Sequence, residues 1–337
     1  SQLYAKLTKG LSAKTKDIFD RRFGVKTGKV ETLESIGKSL GITRERVRQI
    51  EEVGFTYVRK NHGETLNKVY ATIEDYFKEK GGFKKEETVL AELGGARQKA
   101  QVLFFLTLGS QFSRVCEKKD YLYFWSTIPG AEKHVGQTLN SLASDLEKHA
   151  KPLAKPELAA QFASNYNLSN EALDSYLEVS KRIQPNKEGK LGLIEWPEIR
   201  PRSVKDKAFL VFKKHQKPLH FREITSLIDQ LDVSADNDKK THPQTVHNEL
   251  IKDARFVLVG RGMYALGEWG YVPGTIKDVI AKTLAEKPHL VSKDEIVNEV
   301  LRQRLVEKNT ILIKLNDKKH FQKGTDGKYF TVQSQIA

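Results

Sequence analysis

The sequence predicts a mainly α-helical protein with small β-hairpins, on three observations. Residues 32 to 59 show two apolar stripes at helical spacing separated by a tight turn. Beyond them runs a weak repeat with a period of roughly 65 to 75 residues. Each repeat opens on an amphipathic helix and closes on two short apolar or aromatic runs around a polar turn. With 337 residues, 39% of them hydrophobic, the chain exceeds one ordinary domain and can build several small cores.

In the first element, Leu33, Ile36 and Leu40 form the buried stripe of a short helix, and Gly41-Ile42 make the turn. Thr43 is a suitable N-cap for a second helix, in which Val47 and Ile50 face inward. The outward positions are Arg44 and Arg48, Glu45 and Gln49, two i,i+4 pairs near the helix N-terminus. That is a helix-turn-helix, and its second helix presents these side chains where base edges of the major groove are read. Arg can donate twice to guanine, Gln can pair with adenine, and Glu can accept from cytosine. Arg46 and Arg22 suit phosphates, which set register without reading sequence. Spacing alone leaves open a merely solvated helix laced with Arg–Glu pairs.

The repeats open on Leu66, Val69, Ile73 and Phe77; on Leu139, Leu142 and Leu146; on Ala208, Phe209 and Phe212; and on Ile276, Val279, Ile280 and Leu284. Second helices start at readable signals, Pro156 at a first helical position and Ser292 with Glu295 as a capping box. Each repeat closes on a hairpin: FSRVCEKKDYLYFWS, SKRIQPNKEGKLGLIEW, RFVLVGRGMYALGEW and KHFQKGTDGKYFTV. Three helices and a terminal hairpin describe a winged helix. The expected organisation is an N-terminal helix-turn-helix at 1–60 followed by four tandem winged-helix domains at 61–130, 131–200, 201–271 and 272–337. Trp125, Trp196 and Trp269, at or just after the second wing strand, are expected to close each small core. The third helix of the first repeat, QKAQVLFFLTLG, is too apolar to read DNA, so that repeat reads as a spacer or protein-contact module. Basic wing residues are further candidates for the DNA backbone: Arg261 in the third repeat, Lys323 and Lys328 in the fourth, where Lys314, Lys318, Lys319 and His320 gather beside the wing.

A net charge of +14 points to a polyanionic partner, and nucleic acid leads that class. Half of that surplus lies in residues 1–60, which hold 14 Lys and Arg against seven Asp and Glu. One cysteine, Cys116, forms no intramolecular disulfide and suits a reducing compartment, so a cytoplasmic protein is expected. The start, SQLYAKLTKG, lacks a signal-peptide core, and the longest apolar stretch, near Val102 to Leu108, is too short for a bilayer. Ser1 in place of Met suggests a natural chain that extends upstream. His242 and His247 have neither a Cys nor an acidic pair beside them to complete a zinc set, and no phosphate-cradling loop, nucleophile elbow or buried carboxylate pair is visible. No enzyme activity, metal, cofactor or small-molecule substrate is expected.

The stretch LSAKTKDIFDRRFGVKTGKVETLESIGKSLGITRERVRQIE closely resembles the fourth conserved region of bacterial housekeeping sigma factors, over residues 11 to 60. RRFG at 21 to 24, TLESIG at 32 to 37 and TRERVRQIE at 43 to 51 carry the likeness. The resemblance implies binding of double-stranded promoter DNA at the −35 element, with the first part of the region docking on the beta flap of RNA polymerase. By matching position it implies base contacts from Arg44, Glu45, Arg48 and Gln49, with Arg22, Leu33, Thr43 and Arg46 on the backbone. The rest of the chain shows no counterpart of the aromatic-rich second region that melts the −10 element. In the third repeat, FREITSLI at 221 to 228 and HPQTVHNELIKDARFVLVGRGMYAL are similar to the HARE-type winged helix of the polymerase delta subunit and of some DNA-modifying systems, a fold that serves DNA or polymerase contact. Two readings follow. One is a sigma-like factor that recognises a −35-type sequence and contacts polymerase; the other is an accessory regulatory polymerase subunit acting through protein contacts. Nucleoid packaging by a merely basic chain leaves Glu45 and Gln49 without purpose.

Overall fold

The computed structural model describes residues 2–163, 165–166, 168–231, 240–286, 292–324 and 327–332. It is mainly helical with small antiparallel sheets, and it divides into two compact units, Ser1–Ile199 and Arg200–Ala337.

The first unit opens with α1 (Gln2–Leu7), α2 (Ala13–Phe23), α3 (Leu33–Leu40) and α4 (Arg44–Glu79). Ser12, Thr32 and Thr43 cap α2, α3 and α4 by accepting the backbone N–H three residues on, each at 3.1 Å. Gly24 and Gly41 then end α2 and α3 at φ 70° and 66°, a left-handed conformation that costs glycine nothing.

The expected boundary at residue 60 falls inside α4, whose 36 residues are two helical segments joined across a kink at His62. Asn61-His62-Gly63 has the composition of a stop signal and does disturb the helix, with His62 at φ −133°. A second helical segment follows the kink. Asn61 donates its side-chain amide to the Tyr57 carbonyl at 2.8 Å, and the following turns bury Leu66, Ile73 and Phe77.

The first repeat continues with β1 (Phe83–Lys85), α5 (Glu86–Gly94), α6 (Lys99–Leu108), β2 (Ser113–Val115) and β3 (Phe124–Ser126), the strands ordered β1-β3-β2. The second comprises α7 (Ala131–His149), α8 (Lys155–Leu158) running on as a π-helical turn to Ala163, α9 (Asn170–Val179), and the hairpin β4 (Ile183–Pro185) and β5 (Leu191–Leu193).

One small core per repeat does not describe this unit. A first cluster joins Phe19, Phe23 and Phe55 of the helix-turn-helix to Phe104, Phe112 and Trp125 of the first repeat. A second joins Phe83, Tyr121 and Phe124 of the first repeat to Leu142, Leu173 and Tyr176 of the second. The backbone crosses the same joint, with Leu122 N–H donating to Val179 at 2.8 Å and Lys181 N–H to Asp120 at 2.9 Å. Buried Lys84 reaches Glu178 at 2.8 Å. Trp125 therefore closes the joint between the helix-turn-helix and the first repeat, whereas Trp196 rests half-buried on the second cluster.

The second unit repeats the order of elements. Its first half has α10 (Val204–His215), β6 (Leu219–His220), α11 (Phe221–Leu231), α12 (Pro243–Lys252), β7 (Phe256–Gly260) and β8 (Met263–Leu266), with strand order β6-β8-β7. Its second half has α13 (Ile276–Glu286), α14 (Lys293–Gln303), α15 (Lys308–Leu315), β9 (Phe321–Lys323) and β10 (Tyr329–Thr331). Ser292 and Glu295 form the expected capping box. Here each half has its own core, Phe212, Ile224 and Tyr264 in one and Ile280, Ile296 and Ile311 in the other, with Trp269 against the first. A backbone bond joins the halves, Leu305 N–H donating to the Val259 carbonyl at 2.6 Å, while the guanidinium of buried Arg304 donates to the carbonyls of Val272 and Gly274 at the start of the fourth repeat.

Candidate nucleic-acid interface

The helix-turn-helix closes over its own small cluster, Ile18, Ile36 and Val47 fully buried with Leu33, Leu40, Ile42 and Ile50 against them. Gly37, within α3, faces the turn so closely that a Cβ there would stand 2.7 Å from the Ile42 carbonyl oxygen. That close approach seats α3 against the first turn of α4 and so sets the angle at which α4 presents its N-terminus.

Thr43, Arg44, Glu45, Arg46, Arg48 and Gln49 are all exposed on the cap and first two turns of α4, as the spacing predicted. They are partnered with one another. Arg48 donates through Nε and Nη2 to the two Glu45 oxygens at 2.9 and 2.7 Å, and Arg46 donates to Gln49 Oε1 at 3.1 Å. The Arg48 hydrogen bonds hold the Glu45 carboxyl below its ordinary range, and Glu45 in turn raises Arg48. Exposed pairs of this kind exchange partners readily, because solvent screens them. The same side chains are thus exposed and free to exchange these partners for others.

Leu33 and Arg22 are placed differently. Leu33 is half-buried against the small cluster, so its side chain serves packing. Arg22, expected at phosphates, is half-buried, donates to the Glu31 carbonyl at 3.2 Å and lies 3.5 Å from Glu51 Oε1. Burial pushes the Glu51 carboxyl up, against the pull of the Arg22 guanidinium. The arginine's position is explained by that buried acid, which sequence spacing gave no means of placing. A further basic residue was missed: Lys38, with Glu34, lines the groove formed with Ile42, Thr43, Arg44, Glu45 and Arg48. Its signal was its place in the last exposed turn of α3.

In the second unit, Arg261 is exposed at the β7–β8 turn, Lys323 at the end of β9 and Lys328 just before β10. Thr325 and Asp326, in the same hairpin loop, lie outside the described residues. His242 caps α12 by accepting the Gln244 N–H at 3.2 Å, and His247 Nδ1 lies 3.0 Å from the Tyr264 hydroxyl. Among the described residues no helix is long and apolar enough to cross a membrane.

The chain resembles known proteins in two places. It is similar to the RNA polymerase sigma factor sigB of Arabidopsis thaliana, 39% identical over 61 residues, which are 17% of this chain and 11% of that protein. The RNA polymerase sigma factor SigA of Nostoc is 35% identical over 65 residues, 19% of this chain and 17% of that one. SigA of a Bacillus species is 46% identical over 41 residues, 12% of this chain and 11% of the relative. The chain thus spans less than a fifth of each relative. Family models agree on the places: residues 9–60 match Sigma-70, region 4, and residues 202–269 match HARE-HTH, the HTH domain named for ASXL and restriction endonuclease proteins among others.

Proposed function

We propose that this chain is a sigma-like DNA-binding transcription factor that recognises a −35-type promoter element and contacts RNA polymerase at the beta flap. The observation that carries this is the group Arg44, Glu45, Arg48 and Gln49, exposed together on the capped N-terminus of α4 within a segment matching Sigma-70 region 4. The following segments act as four tandem winged helices, the first two packed as a scaffold and the last two extending contact, with Arg261, Lys323 and Lys328 toward the DNA backbone. Its action is binding, not catalysis, in the cytoplasm.

Alanine at Arg48 or Gln49 should weaken binding to the preferred duplex about 10- to 100-fold and leave random duplex almost unaffected. Equal losses on both DNAs would reduce these residues to phosphate contacts. The second reading, an accessory polymerase subunit acting through protein contacts, is favoured by the burial of α6 and α9 in protein. Capture of polymerase by the full chain without sequence-selective occupancy in genome-wide mapping of bound DNA would select it.

A further inference from the structure

In the first unit, the third helix of each repeat is buried within the chain's own packing: α6 buries Val102, Phe104, Phe105, Leu106 and Leu108, and α9 buries Leu173, Tyr176 and Val179. α15 occupies the equivalent place in the last repeat and buries only Ile311 and Leu315. Its other face is open, with Lys308, Asn309, Ile313 and Lys314 exposed.

Charge is sorted to the same place. Residues 272–307 carry six Lys and Arg against six Asp and Glu, whereas residues 308–332 carry six Lys against two Asp. The whole surplus of the repeat therefore sits on its third helix and hairpin. Lys314, Lys318, Lys319 and Lys323 are exposed, and among the described residues none has a carboxylate within 4.0 Å. Asp317, the acid in their midst, is already matched by Lys277, by the Lys319 N–H at 3.2 Å and by His320 at 3.2 Å, and its carboxyl is held down to about 2. It does little to offset the field of the lysines around it.

The chemistry of the face selects its ligand. Lysine ammonium groups are point charges that meet phosphate without the planar fork that reads guanine. Phe321 and Tyr329 are buried and Phe330 is half-buried, so the hairpin offers no fully exposed ring on which single-stranded bases could stack. We propose that α15 and the β9–β10 hairpin form a second DNA contact, a phosphate-binding face for duplex DNA that adds affinity without reading sequence. This deepens the reading of the chain as a DNA-binding factor and is independent of the base contacts made by α4.

The test is a salt titration of the full chain on random-sequence duplex DNA. Changing all four lysines to glutamine (Lys314→Gln, Lys318→Gln, Lys319→Gln, Lys323→Gln) should flatten the slope of log affinity against log salt by about 2 to 4 and weaken binding at least about tenfold near 0.1 M salt. The ratio of affinities for the preferred and random duplexes should hold, and the four matching arginine changes should retain the slope. An unchanged slope in the glutamine variant overturns the proposal. So does loss of polymerase capture with DNA binding intact, which makes the face a protein contact. Absence of any sequence preference in the unaltered chain would sink the promoter reading while leaving this slope test valid.

Discussion

α6 and α15 hold the same position in the order helix, helix, helix, hairpin, and they meet opposite surroundings. The sequence of α6, KAQVLFFLTL, buries six of its ten residues against the helix-turn-helix and its own repeat. KNTILIKL of α15 buries two of eight and leaves both of its lysines in water. Supersecondary order sets where a third helix lies; its side chains decide whether that helix meets protein or solvent. In the first repeat an aromatic face seals a joint, and in the fourth a basic face stays available.

The contrast is most exposed to disproof at Phe104. Its ring lies 5.1 to 6.1 Å from those of Tyr4, Phe19, Phe23 and Phe55, and no part of it reaches solvent. Phe104→Ala should cost about 3–5 kcal/mol, since it removes a large ring from a site bounded by helices on every side. Because one core spans the joint, urea unfolding followed at the helix-turn-helix and at the first repeat should move together. A loss below about 1 kcal/mol, or separate transitions for the two parts, would mean that α6 only rests on the helix-turn-helix.

A smaller effect checks the basic face. Lys277 on α13 pairs with Asp317, just past α15. Since the folded-state pKa of Asp317 lies below its ordinary 3.8, the pair stabilises the fold above that pH, and the contribution is lost as pH falls toward about 2. The carboxyl should titrate near 2 by NMR, and Lys277→Ala should move the midpoint up toward 3.8. A midpoint already at the ordinary value would show that Asp317 is not held by Lys277.

Much of this was legible because it is local. The caps at Thr43 and Ser292, the stripe of Leu33, Ile36 and Leu40, the outward set from Arg44 to Gln49 and the hairpins all follow from residues within a few positions of each other. The burial of QKAQVLFFLTLG was also readable, but not what it is buried against. Long-range partners stayed hidden for a physical reason: nothing in spacing brings Phe104 to Phe19, Lys84 to Glu178 or Arg22 to Glu51. The kink at His62 lies two residues from the boundary expected at residue 60, and the spacing gave no sign that helix resumes directly beyond it.

The smallest expected signal is none at all, and it follows from the segregation of rings from charge. Opening a promoter requires holding flipped, unstacked bases on exposed aromatic platforms flanked by positive charge. Phe19, Phe23 and Phe55 are buried around Phe104, while the lysines of α15 and its hairpin stand beside buried Phe321 and Tyr329. Among the described residues, the large aromatic side chains that count as exposed are Tyr57 and Tyr123. The guanidinium of Arg114 already lies over the Tyr123 ring, 4.7 Å from its centroid. The Tyr57 hydroxyl lies so close to Gly10 that a Cβ there would clash with it. Residues 1–337 with core polymerase should therefore bind duplex promoter DNA without making thymines near the start site reactive to permanganate. Adding a melting-competent sigma factor should restore reactivity. Reactive thymines with core enzyme and this chain alone would show that a ring now buried or covered can be brought out, and Tyr123→Ala would be the first variant to test as its source.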